Sequence, residues 1–162
     1  MDHDHLPALS ALLFSAPLAV LALVGAQLAA ARGSSPARFA IERAAATPPA
    51  GKLVALAVMA AGAIHLGLVF GHLEEPFLAT AFAGAGIAMV GLAAAALMRM
   101  PHWRRLVAAA LVGVLAAYSA SRVAGLESVD VLGVATAGLE VVALGLVVSA
   151  RENGGASIAV GQ

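Results

Sequence analysis

The chain has 162 residues, of which 62% are hydrophobic and 11% charged, and its mean hydropathy is +0.97. Soluble domains are about a quarter charged and about half apolar, so an ordinary soluble domain is excluded. A formal net charge of zero leaves no global field to attract nucleic acid. The lack of any cysteine removes disulfides, thiolate metal sites, iron–sulfur clusters and thiol catalysis.

Successive apolar runs approach the roughly 20 residues that a bilayer core about 30 Å thick demands of a helix. They do not alternate as the strands of a membrane barrel would. The reading is therefore all-α: a single membrane domain over 1–150, made of five transmembrane helices and set in the plasma membrane.

The N-terminus, "MDHDHLPALSALLF", is acidic and His-bearing where a signal peptide would be basic. The first run, 8–31, is accordingly expected to be a retained helix. Met1-Asp2-His3 could chelate copper(II) or nickel(II) through a free amine, amide nitrogens and imidazole in square-planar geometry. This makes His3 and His5 metal candidates, against the plainer reading of a solvated polar leader.

The 32–52 loop opens with Gly, Ser and Pro and closes on Pro48-Pro49. Inside it, "SSPARFAIERAAAT" predicts a short interfacial helix, with Ser35 as N-cap and Pro36 at the first helical position; a solvated linker is the alternative. The further spans are expected over 53–73, 77–98, 105–125 and 130–150, with a flexible tail over 151–162.

Cytoplasmic loops collect Lys and Arg. Arg32, Arg38, Arg43, Lys52, Arg99, Arg104, Arg105 and Arg151 share one side of a five-span chain, leaving Arg122 on the other. The N-terminus is then outside and the C-terminus cytoplasmic. The outward side gathers Asp2, Asp4, Glu74, Glu75, Glu127 and Asp130, with His3, His5 and His72.

Ionisable side chains inside a bilayer cost about 2.5–3.5 kcal/mol at a helix centre and point to function by default. His65 and Glu140 are the clear cases. A rise of about 1.5 Å per residue puts His65 about 12 Å, Glu140 about 15 Å and Tyr118 roughly 10 Å below the outer face. Thr136, Ser119 and Arg122 extend this polar layer outward. His72 falls two turns above His65 on the same helix face, with Glu74 and Glu75 beyond it at the mouth.

Imidazole with carboxylate suits a divalent transition metal, or a proton, since imidazole titrates near neutral pH. "HLEE" is not the H-E-x-x-H of a zinc protease, and a haem held by two histidines would need a second imidazole at the depth of His65. His102, beside Trp103, reads as an interface anchor. The bland alternative for His65 and Glu140 is hydrogen-bonding glue between helices, and for Tyr118 and Arg122 ordinary packing and snorkelling. Gly67 and Gly71 match a small-xxx-small packing pattern that means little in so Gly-rich a chain.

"AIHLGLVFGHLEEPF", followed by "AYSASRVAGLE", resembles a pattern in small multi-pass membrane proteins of high-GC, actinobacterial-type bacteria. In those a histidine pair, acids and a Ser-Arg…Gly-Leu segment come in this order. The resemblance spans 63–127 and extends toward the helix bearing Glu140. Val123-Ala124 and Glu127 stand where that pattern would have a threonine after the arginine and a proline after the leucine. It implies the fold and no particular activity.

Two functions are expected from these residues. One is an outward-facing His/Glu site that binds or conducts a small cation. The other is a non-catalytic accessory or assembly subunit of a larger membrane complex, or of a homo-oligomer, built from Ala- and Gly-rich helices. An enzyme is less favoured, because catalytic zinc wants three protein ligands and an open position and only two suggest themselves.

Overall fold

A computed structural model describes residues 13, 24–125 and 131–149 of the chain. Among the described residues the helices follow in this order: α1 (24–31), α2 (Ser35–Ala45), α3 (Pro49–Gly71), α4 (Pro76–Leu97), α5 (Trp103–Val123) and α6 (Val131–Ser149). Among the described residues α3, α4, α5 and α6 are long and apolar enough to cross a membrane. The four spans expected over 53–73, 77–98, 105–125 and 130–150 correspond to these helices with small shifts at their ends. Most of the first span, 8–31, lies outside the described residues, as do His3, His5, Glu127, Asp130 and the 151–162 tail.

Local chemistry sets the helix ends. Pro sits in the first turn of α2, α3 and α4, where its missing N–H costs nothing and its fixed φ favours the helix. The N-cap of α2 is Ser34, one residue before the expected Ser35, and its hydroxyl accepts from the Ala37 amide. Ser34 holds the extended backbone of a cap, whereas Ser35 is already helical. Gly33, at φ +95°, closes α1 in the left-handed conformation that glycine adopts without penalty. α4 ends in the same hydrogen-bond pattern, Arg99 N–H to Ala96 and Met100 N–H to Ala95, but with Arg99 in the left-handed position at φ +50°.

Helices α3 to α6 run up and down and form a ring in which each packs against its neighbours, α3 and α4 most closely. At one end lie the 98–102 turn and the start of α3; there the Thr47 hydroxyl approaches the carbonyls of Arg43 (2.9 Å) and Leu97 (2.6 Å), tying the α2–α3 turn to the end of α4. We call this the basic end. At the other, acidic end lies the 72–75 turn.

The α3–α4 crossing is a backbone contact. A Cβ at Gly86 would lie 2.9 Å from the Gly62 carbonyl oxygen and 2.6 Å from Leu66 Cγ; one at Gly62 would lie 3.1 Å from the Gly86 carbonyl oxygen. Small residues allow this approach, the usual basis of helix association in lipid. The crossing falls one turn from His65 on α3 and one turn from Phe82 on α4, so it sets how those two side chains meet.

Candidate functional site

His65 and Glu140 face each other between α3 and α6, Nε2 to Oε1 at 3.6 Å, with relative exposures of 5% and 1%. That distance is an ion-pair contact slightly beyond hydrogen-bond range. On the other side of the imidazole, Nδ1 lies 2.9 Å from the Ala61 carbonyl oxygen. A carbonyl only accepts, so this bond places a proton on Nδ1 and leaves Nε2 for Glu140.

The proton count of the pair follows. A neutral imidazole with its proton on Nδ1 presents a lone pair at Nε2, and an ionised carboxylate would present another opposite it. One further proton would resolve the conflict, held either by the carboxyl or by Nε2. In both forms the pair is neutral overall, which is what an apolar interior favours. Glu140 Oε1 is fully buried and has no hydrogen-bond partner among the described residues, so a shortening of the 3.6 Å gap is the direct way to satisfy it.

Phe82 was not foreseen. Its ring centroid lies 5.9 Å from that of His65 and 5.0 Å from that of His72. It thus joins the two histidines on one side of α3. His72 is buried and caps the end of α3 rather than continuing it; its Nδ1 lies 3.8 Å from Glu75 Oε1. Glu75 opens α4, and its amide donates to the His72 carbonyl to close the turn. Glu74 is exposed within that turn. His72 and Glu75 are therefore a second pair, nearer the acidic end than His65 and Glu140.

Tyr118 and Arg122 lie together on α5, the guanidinium 4.6 Å over the phenol ring. Both press on Gly133, where a Cβ would come 2.7 Å from Arg122 Nη2 and 3.2 Å from the Tyr118 hydroxyl. Gly133 is two turns, about 10 Å, from Glu140 along α6. The three expected depths consequently resolve into two levels, with Tyr118 and Arg122 nearer the acidic end than the His65–Glu140 pair. Thr136 lies between them on the same face of α6, buried, its hydroxyl donating to the Leu132 carbonyl. Ser119 donates to Leu115 of its own helix and is exposed.

Among the described residues no three His, Asp or Glu side chains converge as a metal-ligand group. The candidates split into pairs because His65 and His72 are separated by two turns of α3. Comparison with protein-family models, curated proteins and solved structures gives no match. The reading of the site therefore rests on its own geometry.

Proposed function

We propose that the chain is a plasma-membrane protein of five spans, N-terminus outside, whose His65–Glu140 pair holds a single exchangeable proton. The observation that carries this reading is the approach of His65 Nε2 to Glu140 Oε1 while Nδ1 is committed to Ala61. A proton is favoured over a divalent metal because zinc sites take three or four protein ligands and among the described residues two such groups meet here. Toward the acidic end the next polar side chains are His72 and Glu75, beyond Phe82, and Tyr118, beyond Thr136.

Reconstitution in vesicles enclosing a pH-sensitive dye tests this. Under an imposed potential, wild-type protein should admit protons faster than empty vesicles, and Glu140→Gln or His65→Gln should abolish the excess. Flux equal to that of empty vesicles removes conduction. For orientation, a cysteine at exposed Leu73 should react with an impermeant maleimide in intact cells, and one at Ser35 should not.

A second reading, a subunit that packs against other membrane helices or a second copy, draws on α4 and α6. Gly84 and Gly91, and likewise Gly138 and Gly145, are two turns apart on their helices with open space at each Cβ position. Such faces admit a close helix contact. Stoichiometric co-purification of another membrane protein, or a stable dimer in detergent, would support it.

A further inference from the structure

The basic end holds a cavity of about 640 Å³ lined by the whole 99–105 segment and by Ala108, Val147 and Val148. Arg99, His102, Arg104 and Arg105 contribute to it, and among the described residues no acidic side chain does. The first turn of α5 contains no acid that would offset these arginines. Arg99 and His102 both adopt left-handed backbone, at φ +50° and +60°, a conformation that costs energy for residues with a Cβ. Arg104 is half-buried, with Nη2 donating to the Val147 carbonyl at 2.9 Å. That bond fastens the start of α5 to the last turn of α6 and fixes the cavity wall.

We propose that this cavity binds a phosphate-bearing anion, and that its source is the headgroup of an anionic phospholipid. Guanidinium groups match phosphate oxygens with paired N–H donors, and among the described residues three line this cavity with no carboxylate beside them. The wall is amphipathic: Val148, exposed on α6, carries the cavity onto the outer surface of the bundle, where an acyl chain could lie, and Ala108 and Trp103 are partly buried beside it. Free phosphate would use the basic floor and not the apolar wall. Basic pockets between membrane helices on the cytoplasmic side are suited to such headgroups. This inference is independent of the His65–Glu140 reading, since the cavity at the basic end shares no residue with that pair, which lies midway along the bundle.

Trp103, the one tryptophan of the chain, lines the cavity and provides the signal. The full chain in neutral detergent is titrated with phosphatidylglycerol, phosphatidylcholine or inorganic phosphate while Trp103 emission is followed. Phosphatidylglycerol should give a saturable change and phosphatidylcholine none. Arg99→Gln with Arg105→Gln, both at exposed positions, should weaken the response about tenfold or more. Arg32→Gln with Arg43→Gln removes the same charge elsewhere on the basic side and should leave affinity within about twofold. An equal response to inorganic phosphate keeps the anion site and assigns it a soluble source. No saturable response to either anion, or equal weakening by both double substitutions, overturns the site.

Discussion

Toward the basic end all four long helices contribute buried side chains: Val54 and Val58 from α3, Met89, Ala93 and Ala96 from α4, Val107 and Leu111 from α5, and Ala143 and Val147 from α6. Toward the acidic end α4 buries nothing before Gly86 and α5 nothing after Leu111. There the buried set of α3 and α6 includes His65 and His72, Thr136 and Glu140. One half of the bundle is thus a close-packed apolar core, and the other holds polar pairs between loosely covered helices. On the proposed reading the packed half fixes the helices and the polar half holds the proton, so that stability and function draw on different regions of the fold.

Substitutions separate the two halves, and the largest effect is expected in the core. Leu111→Ala should cost about 2–5 kcal/mol of stability in detergent, measured by denaturant unfolding, with proton flux of the folded protein unchanged. Loss of flux at unchanged stability would dissolve the division. Gly86→Ala forces Cβ against the Gly62 carbonyl and Leu66, and overpacking of this kind costs about 1–3 kcal/mol. Because the crossing sets the meeting of His65 with Phe82, this variant should also reduce flux. An unperturbed Gly86→Ala protein would show that α3 and α4 do not cross so closely.

The polar pair comes next. His65→Leu and Glu140→Leu each leave a buried partner without its counterpart, and the double variant should cost less than their sum by about 0.6–2 kcal/mol. Strict additivity in the cycle would mean that the two side chains do not interact. Smallest is Glu75→Gln: with nearly half of the Glu75 side chain exposed, its approach to His72 is worth about 0–1 kcal/mol. A larger loss would place Glu75 in a buried network with His72 rather than at a wet mouth.

Much of this was legible in the residue order. The apolar runs located α3 to α6 because a bilayer permits little else, and His65 and Glu140 stood out because an ionisable group in such a run needs a reason. Their mutual approach followed from matching depths. Other parts needed coordinates. Phe82 is one aromatic in an apolar helix, and only the α3–α4 crossing angle brings it to both histidines. The crossing glycines could not be picked from so many; Gly67 and Gly71 carried the spacing, whereas Gly62 and Gly86 are the pair in backbone contact. Arg99 at a left-handed helix end is invisible where sequence rules look for glycine, and the cavity beside it went unseen with it. That Tyr118 meets Gly133 rather than Glu140 also needed coordinates, because counting along one helix does not give its offset from a neighbour.

The central claim is that His65 and Glu140 share one proton, and infrared difference spectroscopy across a pH titration tests it most directly. The wild-type protein should show a carboxyl C=O band that titrates, that is absent in Glu140→Gln, and that shifts in both frequency and midpoint in His65→Gln. A Glu140 band whose frequency and midpoint are the same with and without the imidazole would contradict the account.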